Sequence, residues 1–490
     1  MTLRRGRLVL PGLGAGVLLA LSLPPWGWWP LAPIGYAVLY RRLDGAAIRG
    51  RLLTTFAAGI GVFGIGLFWM SEFSIPGAVL AVLLHAAVLA AGGAATPPVR
   101  YRLPAFVGAM TLTEALRMRW PFGGVPLGGV PLGQIGGPAG PAARLGGGLV
   151  LLAIAALVGA AVAELASALR SGQNRWGWAV GAAALAVSLV IAGALAPNGH
   201  ATGKRLRVAI VQGGGPRGYT HLQTEEAAAY DRQVAASVSV HGPLDLVLWP
   251  EDVVHVPTDV ADTPEGADLS ALAQRTDATV VAGVVEELPA GFHNAAVAWS
   301  PAGRIVDQYE KVRRVPFGEY IPLRGVIKHL ADLSAVPTDA IPGHGPGLVR
   351  TPAGRLGVLI SYEVFFANRA RSAIKAGAQV LLVPTNAASF STSQVPTQEV
   401  AGARLRAVET GRWLAQAAPT GYSAVVDPNG TVHTRSHLGK RRVITATVGL
   451  RTGRTLYVRW GDLPVVALST LAVAGCWAAV RRRGGQIAPA

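Results

Sequence analysis

Three side chains of different chemistry follow apolar runs in one stretch of this chain. Glu251 ends Leu248-Trp-Pro-Glu251, Lys311 ends Tyr309-Glu-Lys311, and Ser361 ends Arg355-Leu-Gly-Val-Leu-Ile-Ser361. Acyl transfer needs a nucleophile, a proton acceptor and a positive group facing the developing oxyanion, and a hydroxyl, a carboxylate and an ammonium supply those roles. Two more carboxylates lie close by in sequence. Glu319 follows the Val315-Pro-Phe-Gly turn, and Glu363 follows Ser361 with Tyr362 between them. Each residue also has a plainer reading: a surface carboxylate, one member of a solvated Lys311/Arg313/Arg314 cluster, a strand-end hydroxyl bonded to backbone. An isolated match of this kind is weak, and the weight falls on their order within one domain.

Those residues need strands and turns to hold them. Arg207–Gln212, Leu244–Trp249, Thr279–Glu286, Asn294–Ser300, Arg355–Ser361, Gln379–Pro384 and Leu414–Ala418 read as short strands. Thr224–Val240, Ala267–Arg275 and Thr397–Thr410 read as helices between them. Continuous Val/Leu/Ile runs bounded by turns predict strands covered on both faces, with helices outside. Pro250 closes its strand, so the carboxylate after it projects into a crevice beyond the sheet. Asp427-Pro-Asn-Gly430 predicts a tight turn. The segment 323–347, rich in Pro, Gly and His, is long for a connection and reads as a mobile lid.

The remainder is a different material. About the first 200 residues are Leu/Ala/Gly/Val-rich, 204–450 has soluble composition, and a last apolar run follows. Windows near 8–23, 30–40, 52–70, 77–95, 104–116, 145–169, 176–196 and 463–480 are candidate spans, several near the ~20 residues a bilayer requires. This predicts an N-terminal transmembrane domain over 1–203 with about seven spans, a soluble domain over 204–450, and a closing span with its tail over 451–490. The net charge of +17 does not predict nucleic-acid binding, because the arginines cluster at span ends rather than on one folded face. Arg4, Arg5 and Arg7, then Arg41, Arg42, Arg49 and Arg51, then Arg100 and Arg102, then Arg170 and Arg175, and finally Arg481–Arg483 mark alternate loops. The positive-inside rule then puts both termini in the cytoplasm and the 204–450 domain outside. Arg117, Arg119 and Arg144 break that pattern. The single cysteine, Cys476, excludes an intramolecular disulfide and a cysteine-based metal site.

Leu248-Trp-Pro-Glu251, Tyr309-Glu-Lys311, Val315-Pro-Phe-Gly-Glu319-Tyr-Ile-Pro322 and the strand into Ser361-Tyr-Glu363 resemble the nitrilase-type motifs of the apolipoprotein N-acyltransferase family. Leu112-Thr-Glu114 and the Gly/Pro-rich loop 121–138 belong to the same resemblance, which covers nearly the whole chain. It implies an extracytoplasmic α/β domain of the αββα sandwich type beside a polytopic helical membrane domain of about eight spans in a bacterial cell membrane. It also implies a ping-pong reaction: a phospholipid acyl donor acylates the nucleophile, and a diacylated lipoprotein accepts the chain on its N-terminal amine. No cofactor and no metal are implied. By position, Glu251 is the general base, Lys311 the oxyanion-stabilising cation and Ser361 the nucleophile's place, with Glu319, Tyr362 and Glu363 supporting.

The family keeps a cysteine where Ser361 stands. Thiols ionise near pKa ~8.5, whereas an alcohol is a far weaker acid and needs a stronger base than an ordinary carboxylate. Three readings follow: a serine variant that still transfers acyl groups, an inactive paralogue that binds lipid or lipoprotein, or an engineered replacement at the nucleophile. A transporter would need charged groups along its spans, for which His85, Glu114 and Glu164 are the candidates. The enzyme reading predicts a lipid-facing groove at the membrane, with Phe63, Phe68, Trp69 and Phe73 either lining it or forming an interfacial aromatic belt.

Overall fold

The computed structural model describes residues 2–99, 101–171, 176–218, 226–329, 332–334 and 336–484. Arg100, Arg175 and the first two residues of the expected helix Thr224–Val240 lie outside them. The chain divides into two units, Met1–Ala196 with Arg459–Ala490, and Pro197–Val458.

The first unit is helical: α1 (Thr2–Leu21), α2 (Leu31–Arg42), α3 (Ile48–Gly66), α4 (Ile75–Ala95), α5 (Leu103–Arg117), the short α6 (Val130–Gln134), α7 (Ala143–Ser171), α8 (Trp176–Leu195) and a closing helix, Leu463–Gly484. Five stretches are long and apolar enough to cross a membrane: Ile48–Gly66, Ile75–Ala95, Gly140–Arg170, Trp176–Leu195 and Leu463–Arg482. The other expected windows fall on α1, α2 and α5. At 12 residues α2 rises only about 18 Å, short of a hydrocarbon core of about 30 Å. Small residues let these helices touch at backbone distance. A Cβ on Gly16 of α1 would lie 2.0 Å from the Ala58 carbonyl oxygen of α3.

Several buried charges in this unit are paired. Arg117, 1% exposed, reaches both carboxylate oxygens of Glu114 and donates to the carbonyls of Val125, Pro126 and Leu127, which pins the loop after α5. Arg119 pairs with Asp462 at 2.5 Å, and Glu164 accepts from Tyr40 at 2.5 Å. The arginines that break the alternation of loop charge are therefore not all free loop charges: Arg117 and Arg119 are neutralised, and Arg144 is buried beside Gly193. Glu114 and Glu164 serve as internal locks. Phe63 and Trp69 are buried, with Phe63 edge-on to His85, so neither is a surface aromatic; Phe68 is exposed.

In the second unit the apolar runs alternate inward on both sides, and the result is two facing sheets. The strands are β1 (His200–Gln212), β2 (Leu246–Leu248), β3 (Val254–Val256), β4 (Thr279–Leu288), β5 (Gly291–Trp299), β6 (Ile305–Glu310), β7 (Leu348–Thr351), β8 (Gly354–Val358), β9 (Val380–Pro384), β10 (Leu414–Ala417), β11 (Ala424–Val426), β12 (Val432–Arg435) and β13 (Arg442–Thr452). One sheet runs β13-β1-β2-β4-β5-β6 with β3 on β4, the other β12-β11-β10-β9-β8-β7. Val208, Ile210 and Leu248 of the first sheet share a core with Val358, Val380 and Leu382 of the second. Their neighbours Ala209, Val211 and Val247 turn to the opposite face, under α9 (Glu226–Ser237) and α10 (Pro264–Thr276). After the short α11 (Arg324–Ile327), α12 (Ala367–Lys375) packs on β8 and α13 (Gln394–Thr410) on β10 and β11, so the layers run helix, sheet, sheet, helix. This is a nitrilase-like α/β sandwich.

The segment 323–347, expected as a mobile lid, is irregular backbone with the short helix α11 near its start. Residues 340–343 are bonded to their surroundings: Ala340 donates to the Glu319 carbonyl at 2.7 Å, Ile341 to Phe292 at 2.8 Å and Gly343 to Lys311 at 2.9 Å. Backbone groups that run beside a sheet need partners, and the ends of β5 and β6 supply them.

Candidate active site

Glu251 is placed by a strand that stops and a neighbour that makes room. Trp249 still donates to the Val281 carbonyl of β4 at 2.8 Å; Pro250 has no N–H to continue, and its carbonyl accepts from Gly283 at 3.0 Å. A Cβ on Gly283 would lie 2.4 Å from the Glu251 Cα, so the close approach requires glycine there. Asp252 then turns with φ +57° and bonds His255 at 2.6 Å and Asn386 at 3.0 Å.

The Glu251 carboxylate lands in a buried cluster. Lys311 Nζ donates to Glu251 Oε1 and to Glu319 Oε1, each at 2.7 Å. Asn294 Nδ2 spans the same two oxygens at 2.9 and 3.0 Å, and the Val315 N–H holds the other Glu319 oxygen at 2.7 Å. Among the described residues two of the three ammonium donors are thus committed, and one is left for a ligand oxygen. Two carboxylates compete for one ammonium at a place where Glu251 is 4% and Lys311 2% exposed. Burial raises the Glu251 pKa above the ordinary carboxylate value; Lys311 opposes this, and the Glu319 charge adds to it. For Lys311, burial works against the charge, but Glu251 and Glu319 outweigh it and hold the lysine protonated. A carboxylate pushed upward beside a fixed cation is a better base than an exposed one.

Ser361 leaves β8 in a left-handed conformation, φ +48°, and opens a short 3-10 turn, Ser361–Phe365. For a non-glycine residue this costs about 1 kcal/mol, and it swings the side chain off the ladder. The hydroxyl makes no hydrogen bond among the described residues. What holds the turn is Glu363, fully buried. Its carboxylate accepts from the Tyr309 hydroxyl at 2.9 Å and from the N–H groups of Val312, Arg313 and Ile360, each at 3.0 Å. One side chain therefore binds the serine's turn to the segment that carries Lys311, and Lys311 binds Glu251. Tyr362 has a different place: its ring packs edge-on to Phe366 at 4.9 Å.

Asn294 and Tyr309 belong to this site and escaped the sequence reading. The available signal was a lone amide opening the apolar strand Asn294–Ser300 and a tyrosine two residues before Lys311. Among the described residues no group of three His, Cys, Asp or Glu side chains could hold a metal ion.

A carboxylate, an ammonium and a hydroxyl thus follow strand ends of one double-sheet α/β sandwich. Residues 207–457 match the family model for carbon-nitrogen hydrolase, and residues 15–161 that for the apolipoprotein N-acyltransferase N-terminal domain. The chain belongs to the carbon-nitrogen hydrolase family, in its membrane-bound apolipoprotein N-acyltransferase group. Relatives that carry this name include a protein of Azotobacter vinelandii, 29% identical over 98% of this chain and 96% of its own length. Another, from Mycolicibacterium smegmatis, is 29% identical over 96% of this chain and 85% of its own. The chain is also similar to the solved structure of Saccharomyces cerevisiae Nit3, of the nitrilase superfamily, at 20% identity and a TM-score of 0.39 over 52% of this chain and 92% of that one.

Proposed function

We propose that this chain transfers an acyl chain from a membrane phospholipid to the N-terminal amine of a diacylated lipoprotein through an ester on Ser361. Glu251 takes the proton of Ser361 Oγ as the oxygen attacks the phospholipid ester carbonyl, and the free Lys311 N–H meets the oxyanion. Collapse of the intermediate expels the lysophospholipid oxygen, which takes the proton from Glu251. The lipoprotein amine then attacks the Ser361 ester, passes its proton to Glu251 and leaves as an amide, and that proton returns to Ser361 Oγ. Atoms and charge balance at each step, and the chemistry uses side chains alone. The observation that carries the reading is the hydrogen-bonded path from the Ser361 turn through Glu363 to the Lys311 segment and on to Glu251.

In this reading residues 1–203 anchor the chain, 204–450 carry the chemistry and 451–490 return it to the membrane. Helices α1–α5, α7, α8 and the closing helix cross the bilayer, the short α2 together with its flanking residues, with both termini cytoplasmic and the catalytic domain on the outer face of a bacterial cell membrane. The alternation of arginine between loops supports it.

The test is intact mass of the full chain in nanodiscs holding phospholipid. An acyl adduct is expected on wild type, faster on Ser361→Cys, and absent from Ser361→Ala, Glu251→Ala and Lys311→Ala. An adduct on Ser361→Cys alone would show a protein that has kept the site and lost turnover. Neither protein forming one would end the acyl-transfer reading.

A further inference from the structure

A fourth carboxyl group lies behind this site, and the reaction above does not use it. Glu399 sits on α13, which packs against the Ser361–Phe365 turn, and it is 3% exposed. Its Oε1 accepts one hydrogen bond, from the Thr385 hydroxyl at 2.7 Å; its Oε2 has no partner among the described residues. Among the described residues no cation pairs with it. A buried carboxylate without a cation is costly enough that such a group takes a proton instead.

Its surroundings explain why no cation is free to pair. The charges that act on it are Glu251, Lys311 and Arg217. Lys311 is held by Glu251 and Glu319, and Arg217 donates to the carbonyls of Phe390 and Thr392. From the Ser361 turn, Glu363 is taken up by Tyr309 and backbone N–H groups and pairs with Arg369 of α12 at 3.4 Å; Arg369 is also bonded to Tyr309 and the Gly345 carbonyl. β10 and β11 bring no ionisable side chain, and on α13 itself Arg406 and Glu409 pair with each other at 3.1 Å. Burial pushes the Glu399 carboxyl up to about 8, with Glu251 adding to the rise.

The strand register shows what the group is near. Val358 of β8 pairs with Leu382 of β9, so Ser361 and Thr385 lie three residues beyond the same rung of parallel neighbours. The hydroxyl that Glu399 fixes belongs to the strand end beside the nucleophile.

We propose that Glu399 is a positioning residue of this site: an un-ionised carboxylic acid that orients the Thr385 hydroxyl beside the Ser361 turn and keeps a further negative charge away from Glu251, Lys311 and Glu319. The inference rests on the acyl-transfer reading. Ionisation of Glu399 adds a negative charge that acts on Lys311, the ammonium that meets the oxyanion, and opposes the negative charge developing there, so acylation falls on the alkaline side.

Two measurements on the full chain in nanodiscs test it. Infrared spectra across pH 6–10 should show a protonated-carboxyl carbonyl band that disappears through pH about 8 and is missing in Glu399→Gln. The acylation rate should fall about tenfold in Glu399→Ala and be mostly restored at neutral pH in Glu399→Gln, whose rate holds beyond pH 8 where wild type declines. Identical infrared titrations in wild type and Glu399→Gln would overturn the proposal whatever the activity, as would an alkaline decline that Glu399→Gln retains. A band that titrates as stated, in a protein that forms no adduct even as Ser361→Cys, would remove the reaction and the positioning role while leaving the un-ionised state established.

Discussion

At the scale of single residues, the main quantity is the ratio of charges around Glu251. One lysine serves two carboxylates; Lys311 and Glu251 are buried and Glu319 is partly so. This answers the difficulty that serine raises, since a carboxylate of ordinary basicity cannot take an alcohol's proton at a useful rate. The Glu319 charge is one cause of the upward shift of Glu251, so removing it favours the ionised form and lowers that pKa. In Glu319→Gln the acid limb of the acylation rate should therefore move to lower pH than in wild type. A pH–rate profile from 4 to 9 checks this, and an unmoved limb would separate Glu319 from the basicity of Glu251. Glu363 acts differently. It accepts from a hydroxyl and three N–H groups, so Glu363→Ala leaves several buried donors unpaired, each at about 1–3 kcal/mol.

At the scale of elements, the site is a product of how strands end. Pro250 stops β2, Ser361 leaves β8 at φ +48°, and Lys311 follows β6 directly. Gly283 inside β4 is the counterpart of Pro250, since its missing side chain is the space that the Glu251 backbone occupies. Gly283→Ala should leave the sandwich folded, at a cost of about 1–3 kcal/mol for overpacking, and displace Glu251 enough to lower acylation about 10²-fold. Circular dichroism with the adduct assay separates the two effects; full activity in this variant would show that the strand yields without moving the base. The connection 323–347 belongs at this scale too. The sequence suggests a lid, because proline and glycine mark it as irregular, but irregular backbone beside a sheet still takes hydrogen bonds from that sheet.

At the scale of the whole molecule, the proposed orientation puts the chemistry on one side of a membrane, and one chemical label can check it. In a Cys476→Ala background, Glu287→Cys lies on the exposed end of β4 and Arg49→Cys in the exposed start of α3. A membrane-impermeant maleimide added to intact cells should modify the first and reach the second only after permeabilisation. The reverse pattern would invert the topology.

How much of this was legible in the chain differs by kind of residue. Glu251, Lys311, Glu319, Ser361 and Glu363 announce themselves because each sits in a short motif with a turn-former beside it, and local backbone geometry is written locally. The apolar strands β1, β2, β4, β8, β9 and β10 were legible for a similar reason, since being covered on both faces leaves a continuous Val/Leu/Ile run. β13 was not: Arg442–Thr452 carries charged and polar side chains on its outer face, and its strand identity comes from ten residues paired with β1, more than 200 positions away. Asn294, Thr385 and Glu399 were silent for the same cause. An amide, a hydroxyl and a carboxyl have no spacing to each other that sequence could show, and they become a site only when long-range packing removes water from around them and leaves each one its neighbours as hydrogen-bond partners.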